Sequence, residues 1–315
     1  MSGQKIGIVG SGLIGRAWAM LFAAAGYRVE LYDLVASQVD AALVEIRSEL
    51  HRLAAKGTLR GQRSAEEQSA LISGCGQLEQ LVAGAMHIQE CVPEQLALKR
   101  TLYGQLDVLL EPHTVVASST STFMPSLYTA ELKQRAQMLV AHPLNPPYYI
   151  PLVELVPAPW TDQPVVERTR QLMLTLGQRP VVLKREVQGF ATNRIQYAIL
   201  NEVWRLVGGG VLSVADADRV LSEGLGLRYA LMGALETAHL NAPDGIADYV
   251  ARFGGEIAAV SASYGPTPDM RGEWETLTQI ARQCDELVPL TALPQRRAAR
   301  EEFLTRLSTL KRQLP

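Results

Sequence analysis

Cysteine is scarce in this chain of 315 residues, where only Cys75, Cys91 and Cys284 occur. Their number is odd, and the sequence contains no CxxC pair and no cysteine–histidine cluster. A disulfide framework or a structural zinc site is therefore not expected, and we expect no metal. Buried thiols in a reducing compartment fit this cysteine usage.

The chain also lacks an excess of either charge and any long apolar run. Its 30 basic and 32 acidic residues give a formal net charge of −2, so neither nucleic acid nor an anionic membrane is expected as a partner. No apolar stretch reaches the ~20 residues that a membrane-spanning helix needs. The first residues lead directly into a strand pattern, which leaves no room for a signal peptide. We expect a cytoplasmic protein.

Strand and helix patterns alternate over the first part of the chain. KIGIV at residues 5–9 and RVELY at 28–32 predict strands, and the apolar residues of 13–25 recur at helical spacing. Alternating strands and helices are typical of parallel sheets that carry helices on both faces. The sequence therefore predicts an α/β fold with a Rossmann-type, doubly wound and mostly parallel sheet.

Two further helical features are predicted within this sheet domain. Residues 36–56 and 65–73 show helical stretches, which we expect to form an inserted helical hairpin. Pro93 and Glu94 are expected to open another helix that runs to about Leu110, because proline is tolerated in a first helical turn.

The second part of the chain differs in its periodicity. Strand patterns stop at about Gly189 and helical periodicity takes over, which predicts an all-helical region. A chain of this length with 47% apolar residues is sufficient for two domains with buried cores. We therefore place the sheet domain at residues 1–187 and a helical domain at 188–315.

A glycine-rich turn follows the first predicted strand. Gly10, Gly12 and Gly15 form GSGLIG, and Asp33 ends the second strand 23 residues after Gly10. Such glycines permit a tight turn, a close approach of the backbone to a pyrophosphate, and close packing of helix on strand. The acid at this spacing suits a ribose diol and would repel a 2′-phosphate, which favours NAD over NADP.

An acidic residue also interrupts the apolar segment PLVELV. Glu154 in this segment needs a partner if it is buried, and His142 ends the preceding predicted strand twelve residues earlier. An imidazole that is hydrogen-bonded to a carboxylate has a fixed tautomer and serves as a general base. This pair predicts oxidation of an alcohol. A satisfied core histidine and a structural ion pair are the alternative interpretations.

Four motifs occur in a characteristic order along the chain. A small polar loop (ASSTST) is followed by H-x-x-N-P, by the glutamate in its strand, and by G-F-x-x-N-R. This order resembles the 3-hydroxyacyl-CoA dehydrogenase superfamily, and the resemblance covers nearly the whole chain. It implies a catalytic set of Ser121, His142, Glu154 and Asn193, with His142 as general base and Glu154 orienting it.

The resemblance has two further implications. It implies a homodimer built through the helical domain. It also implies that NAD contacts a set of residues beyond the glycine turn, namely Leu13, Ile14, Asp33, Glu94 and Lys99.

Several of these residues have simpler interpretations. Ser119 is the rival of Ser121, because both lie in the same run of hydroxyl residues. Asn193 is alternatively a helix cap. Glu94 and Lys99 are alternatively ordinary helix charges five residues apart.

The residues near the catalytic motifs indicate the substrate class. Tyr148 and Tyr149 follow the H-x-x-N-P motif and supply hydroxyl groups suited to a polyol; alternatively, both pack in a domain interface. Arg228 suits the carboxylate of a sugar acid. Arg60 and Arg63 suit a CoA phosphate, but we expect a solvated hairpin loop there.

These observations predict an NAD-dependent dehydrogenase that acts on a small sugar acid or another 3-hydroxy acid. Oxidation of a 3-hydroxyacyl-CoA ester is the alternative within enzymes. A structural NAD-binding protein without catalytic duty is the alternative from another class.

Overall fold

The computed structural model describes residues 3–313, and the chain divides into two compact units, the first ending at Arg194 and the second beginning at Ile195. The first unit contains one sheet. Its strands are β1 Lys5–Val9, β2 Arg28–Tyr32, β3 Ile72–Gly74, β4 Ala85–Glu90, β5 Val115–Ser118, β6 Met138–Pro143, β7 Leu152–Pro157 and β8 Arg179–Val182.

The order of the strands is β3-β2-β1-β4-β5-β6-β7-β8. All neighbouring strands are parallel except β6 and β7, which pair antiparallel. The helices of this unit are α1 Leu13–Ala24, α2 Ala36–Ala55, α3 Ala65–Ala70, α4 Leu78–Val82, α5 Leu96–Leu109, α6 Ser126–Thr129 and α7 Gln163–Thr175. The predicted Rossmann-type fold with an inserted hairpin, α2 and α3, is confirmed.

The core lies on both faces of the sheet because the side chains of each strand alternate. On β1, Ile6 and Ile8 belong to the cluster that contains Trp18 of α1, whereas Val9 belongs to the cluster that contains Tyr103 of α5. Each of these side chains is at most 2% exposed. Full burial of an aliphatic side chain contributes roughly 1.5–3 kcal/mol, so these faces fix α1 and α5 against the sheet.

The second unit is helical in its described residues, as the periodicity predicts. Helix α8, Thr192–Gly208, begins just before the boundary between the units. It is followed by α9 Val214–Arg219, a π-helical turn at Val220–Leu225, α10 Gly226–Tyr229, α11 Ala234–Leu240, α12 Gly245–Ala262, α13 Trp274–Leu287 and α14 Leu293–Gln313. None of the helices in residues 3–313 combines the length and apolar composition that a membrane crossing requires.

Two predicted helix boundaries are wrong. Helix α5 begins at Leu96, because Gln95 before it has an extended backbone and Glu94 lies in a loop that contacts another loop. The second hairpin helix ends at Ala70, because the next residues form β3 and pair with β2 at the edge of the sheet. In both places a contact with a segment distant in the sequence decides the local structure. Local secondary-structure propensity does not reveal such contacts.

Arg60 in the hairpin loop corrects another expectation, because it is not solvated. Its guanidinium donates hydrogen bonds to the carbonyls of Tyr148, Leu176 and Gly177 and to Oε1 of Gln178. Leu176 and Gly177 follow the last turn of α7, where backbone carbonyls lack helical partners. The arginine satisfies these carbonyls and thereby ties the hairpin to the sheet.

A buried histidine on β4 makes the stability of this unit dependent on pH. His87 is 1% exposed, and its Nε2 lies 3.1 Å from Oε1 of Gln89. Because Nε2 of Gln89 donates to Ser119, its Oε1 accepts a proton from the ring of His87. Burial lowers the pKa of His87 to about 4, so the ring stays neutral in the folded protein well below pH 6.5.

We expect His87→Gln to reduce the acid sensitivity of folding. The unfolded chain binds a proton at His87 as pH falls below 6.5, whereas the folded chain does so only near pH 4, so stability is lost between these values. The wild type should lose about 2 kcal/mol more than His87→Gln between pH 7.5 and pH 4.5. Urea unfolding at the two pH values measures this, and equal losses in both proteins would contradict it.

Candidate active site

The predicted histidine–glutamate pair is formed across two neighbouring strands. His142 on β6 and Glu154 on β7 are direct partners in the antiparallel register, which brings their Cβ atoms to the same face. Nδ1 of His142 lies 2.8 Å from Oε2 of Glu154, and the two residues are only 6% and 1% exposed. Because a carboxylate only accepts, the ring donates from Nδ1 and its Nε2 carries the free lone pair.

The second oxygen of Glu154 is held by the start of α8. The backbone N–H groups of Ala191 and Thr192 donate to Oε1 of Glu154 at 2.8 and 2.9 Å. Burial would raise the pKa of this carboxyl, but the hydrogen bonds from His142, Thr192 and Ala191 outweigh it and lower the pKa. Glu154 is therefore a charged carboxylate with fixed orientation, as the orienting group of a base must be.

Phe190 packs against this pair and was not singled out from the sequence. Its buried ring lies 5.5 Å from the ring of His142, centroid to centroid, and its φ of 52° is in the left-handed region. A left-handed phenylalanine is costly and is retained where surrounding contacts require it. The motif G-F-x-x-N-R was the available signal, because Phe190 is its second residue.

The two rival serines have different environments. Oγ of Ser119 accepts hydrogen bonds from Nε1 of Trp18 and Nε2 of Gln89 and lies 3.3 Å from Sγ of Cys91. Ser119 is therefore engaged with the interior of the unit. Ser121 is half-buried, and its hydroxyl lies 3.5 Å from Oε1 of Glu94. These contacts favour Ser121 as the serine that meets substrate.

Asn193 connects the serine loop with the histidine pair. Its Nδ2 donates to the backbone carbonyl of Ser121 at 2.7 Å, which leaves Oδ1 as its remaining acceptor. Asn193 directly follows Thr192, whose N–H binds Glu154. The start of α8 thus brings the loop and the His142–Glu154 pair together through adjacent residues.

Lys99 is not an ordinary helix charge. It is 1% exposed, and its Nζ lies 2.9 and 3.0 Å from the two carboxylate oxygens of Glu90, which is fully buried. Nζ also lies 3.5 Å from Oε2 of Glu94. Sequence reasoning missed Glu90, although an acid at the end of the buried strand MHIQE gave the same signal that identified Glu154.

The glycine turn has the geometry that a dinucleotide requires. Gly10 has φ +99°, and a Cβ there would lie 2.6 Å from the carbonyl oxygen of Cys91. A Cβ on Gly15 would lie 1.9 Å from the carbonyl of Gly10, so α1 begins in contact with the turn. Gly12 has open space where a side chain would be, and it caps α1 without a side-chain hydrogen bond. Helix N–H groups and their partial positive charge can therefore bind a phosphate here.

A cleft of about 450 Å³ adjoins this turn. Asp33 lies on its wall, where its Oδ2 accepts hydrogen bonds from N and Oγ of Ser11, both at 2.9 Å. Much of the remaining wall is formed by apolar side chains, namely Val9, Tyr32, Leu34, Val92, Leu98 and Leu102. An acid beside an apolar cleft fits the ribose and adenine of NAD. Leu13, at the start of α1, is 58% exposed.

Replacing Asp33 is expected to change cofactor preference. Asp33→Ala removes a charged acceptor, so the Kd of NADH should rise by about tenfold. Asp33→Asn keeps an acceptor for Ser11 but loses the charge that repels a 2′-phosphate, so NADPH should bind more tightly than to the wild type. Fluorescence titration of NADH and NADPH measures both, and an unchanged ratio of the two Kd values in both variants would contradict this role.

The two remaining substrate candidates have different surroundings. Tyr148 is 5% exposed, belongs to the main core cluster, and accepts a hydrogen bond at its hydroxyl from the backbone N–H of Arg60. This placement favours a packing role over the predicted contact with substrate. Tyr149 also packs, since its hydroxyl donates to Glu49 of α2. Arg228 is exposed on α10 of the second unit.

Among residues 3–313, no group of histidine, cysteine and acidic side chains suits a metal ion.

Two family models match the chain consecutively. The NAD binding domain of 3-hydroxyacyl-CoA dehydrogenase matches residues 5–187, and the C-terminal domain of 3-hydroxyacyl-CoA dehydrogenase matches residues 189–277. Together the matches cover most of the chain and both parts of its fold.

Individual relatives agree with these matches. The lambda-crystallin homolog of Bos taurus is 51% identical over 98% of this chain and 96% of that protein, and the lambda-crystallin of Oryctolagus cuniculus is 48% identical with the same coverage. The L-carnitine dehydrogenase of Streptomyces griseus is 36% identical over 81% of this chain and 75% of that protein.

Solved structures of similar fold include dehydrogenases. The structure of 5-formyl-3-hydroxy-2-methylpyridine 4-carboxylic acid 5-dehydrogenase, an NAD+ dependent dismutase, has a TM-score of 0.80 and 25% identity, and covers 100% of this chain and 99% of that chain. The 3-hydroxybutyryl-CoA dehydrogenase of Escherichia coli has a TM-score of 0.68 and 28% identity, over 81% of this chain and 53% of that chain.

Proposed function

The chain belongs to the 3-hydroxyacyl-CoA dehydrogenase family, and we propose that it oxidises the C3 hydroxyl of L-gulonate to 3-dehydro-L-gulonate with NAD as hydride acceptor. The His142–Glu154 pair is the observation that carries the proposal of alcohol oxidation, because it provides a buried, oriented base. The sequence resembles L-gulonate 3-dehydrogenase, also known as lambda-crystallin, and the relatives that are about half identical over 98% of the chain are lambda-crystallins.

In this proposal, the protein's own residues remove the hydroxyl proton of the substrate alcohol. Bound NAD supplies the acceptor for the hydride that leaves the carbinol carbon. Nε2 of His142 takes the hydroxyl proton, and the Glu154 carboxylate stabilises the imidazolium that results. The hydroxyl of Ser121 and the second N–H of the Asn193 amide donate to the substrate oxygen and hold it in place. Before the next turnover, His142 must release this proton to solvent.

Arg60 of the hairpin loop supports a small substrate over a CoA ester. Its guanidinium donates four hydrogen bonds within the sheet unit. Arg60 would have to give up these hydrogen bonds to bind a CoA phosphate. Arg228 is the candidate for the substrate carboxylate because a guanidinium binds carboxylates through paired hydrogen bonds.

A steady-state comparison of three alcohols tests the substrate. L-gulonate, 3-hydroxybutyrate and 3-hydroxybutyryl-CoA are offered with NAD, and the absorbance of NADH is followed at saturating cofactor. We expect the highest kcat/KM with L-gulonate. A preference of more than tenfold for the thioester, about 1.4 kcal/mol of transition-state binding, would assign the chain to 3-hydroxyacyl-CoA oxidation instead.

The thioester is retained as the second candidate because the family models and the fold match enzymes that are named for it. A structural NAD-binding role, as in a lens crystallin, is the third. The complete set of Ser121, His142, Glu154 and Asn193 opposes the third candidate, because a purely structural protein has no need of an oriented base.

We also propose that the chain forms a homodimer through its helical unit. One face of α12 carries exposed apolar side chains at spacings of four and three residues: Ile246, Val250, Phe253, Ile257 and Val260. A continuous apolar face of this kind is typical of an interface. Analytical ultracentrifugation should give a dimer for the wild type and a monomer for Val250→Asp/Ile257→Asp. A monomeric wild type at micromolar concentration would contradict the proposal.

A further inference from the structure

One buried amide connects three strands of the sheet. Gln89 on β4 is fully buried, and its Nε2 donates to Oγ of Ser119 at 2.8 Å and lies 3.4 Å from the backbone carbonyl oxygen of Ala141. Ser119 directly follows β5, and Ala141 lies on β6. Because a carbonyl oxygen only accepts, Ala141 fixes which end of the amide faces β5 and β6. Oε1 of Gln89 faces His87 instead, so the amide keeps this orientation without His87.

The hydroxyl group of Ser119 is fully engaged in this arrangement. Its two lone pairs accept from Nε2 of Gln89 and, at 3.1 Å, from Nε1 of Trp18. Its proton is therefore left for Sγ of Cys91, which lies 3.3 Å away. The backbone N–H of Ser119 donates to the carbonyl of Glu90 at 2.8 Å. Side chain and backbone thus both hold Ser119 against β4.

Both partners of Gln89 lie next to proposed catalytic residues. Ser119 precedes Ser121 by two residues, and Ala141 directly precedes His142. A side chain that binds Ser119 and Ala141 together also limits how far Ser121 and His142 can move apart. These two groups must reach the same substrate oxygen, so their separation matters for the rate.

We propose that Gln89 is a positioning residue that sets the distance between the hydroxyl of Ser121 and the imidazole of His142. The proposal rests on the proposed function in that both groups are taken to act on the alcohol that is oxidised. Gln89 is fully buried, so it affects turnover through its neighbours and does not touch the substrate.

Gln89→Met tests this role, because it keeps the length of the side chain and removes the amide. A displaced reacting group slows the chemical step, so kcat should fall by about 20-fold while the KM of the alcohol changes by less than about threefold. Thr114→Val removes another buried hydrogen bond, from Thr114 to the carbonyl of Ala85 at the amino end of β5, and its kcat should stay within about twofold of the wild type. A kcat of Gln89→Met within fivefold of that of Thr114→Val would overturn the proposal.

A double-mutant cycle tests whether the separation of the two groups is what matters. When Ser121→Ala has removed the hydroxyl, its distance from His142 no longer affects the rate. Gln89→Met should then lower kcat by less than about fivefold. A larger loss in the Ser121→Ala background would show that Gln89 acts in another way.

Two further measurements cover a variant that folds poorly and an unknown substrate. If Gln89→Met does not fold, Ser119→Ala removes the same hydrogen bond from its other end, and kcat should fall by at least about fivefold; a smaller loss would overturn the proposal. Hydrogen exchange needs no alcohol: the amide of Ser119 should lose protection in the variant that lacks this bond and keep it in Thr114→Val. Equal protection in both would likewise overturn the proposal.

The role of Gln89 is decided separately from the identity of the substrate. Values of kcat are taken with whichever of the three alcohols the wild type oxidises fastest. If L-gulonate proves a poor substrate, the proposed function fails while these comparisons still decide the role of Gln89.

Discussion

Replacing His142 by Asn is expected to lower kcat by about 10³-fold, because the substitution removes the proposed base that takes the hydroxyl proton from the substrate. The shorter amide side chain could still bond to Glu154, so the pairing of β6 and β7 should survive. The glycine turn follows β1, which is not a neighbour of β6 in the sheet, so the Kd of NADH should change by less than about threefold. Turnover is measured from NADH absorbance and binding from NADH fluorescence.

His87→Gln is the matched control for this substitution. It removes another buried histidine of the same sheet, one that bonds to Gln89 rather than to an acid. At pH 7.5 this control should retain the turnover of the wild type. If His142→Asn kept more than a tenth of the wild-type kcat, His142 would not be the base.

Replacing Glu154 by Gln is expected to lower kcat by about 10²- to 10⁴-fold. One end of a glutamine side chain donates, so the substituted side chain cannot accept from Nδ1 of His142 and from the N–H groups of Ala191 and Thr192 at once. If the amide donates to Nδ1, the ring proton moves to Nε2 and the base is blocked. A kcat within tenfold of the wild type would contradict an orienting role.

The same substitution should change the pH dependence of folding. The folded-state pKa of Glu154 lies below its ordinary value of 4.5, so its contribution to stability is present above pH 4.5 and is lost as pH falls through the lower folded-state value. The Glu154→Gln variant lacks this titration. In urea unfolding at pH 7.5, the free energy of unfolding of Glu154→Gln should be lower than that of the wild type by about 1–3 kcal/mol, because one buried donor loses its acceptor. This difference in the free energy of unfolding should shrink toward pH 3.

Local sequence patterns were sufficient for the cofactor turn and for much of the fold. The glycines of GSGLIG and the apolar spacing of α1 specify their conformation within about 15 residues. The His142–Glu154 pair was also accessible, because a carboxylate in an apolar strand needs a partner and the preceding strand supplied one. The antiparallel register that makes them direct neighbours was not predicted, since the expected sheet was only described as mostly parallel.

Contacts between distant segments account for what the sequence did not reveal. From its local sequence, Arg60 has the pattern of a solvated loop residue. Its partners are unpaired carbonyls at the end of α7, which lies more than 110 residues later in the chain. Glu94 and Lys99 have the spacing of helix charges, yet one lies in a loop and the other in the core. Each of these placements depends on which loops meet at the edge of the sheet, and hydrophobic periodicity carries no information about that.

The rate of a single turnover tests the central claim most directly. Enzyme saturated with NAD is mixed with the alcohol at pH 7.5, and the formation of NADH in the first turnover is followed in the wild type and in His142→Asn. We predict that the wild type forms NADH about 10³-fold faster than His142→Asn, because the step that is slowed is the removal of the hydroxyl proton. First-turnover rates within tenfold of each other would show that another group takes the proton.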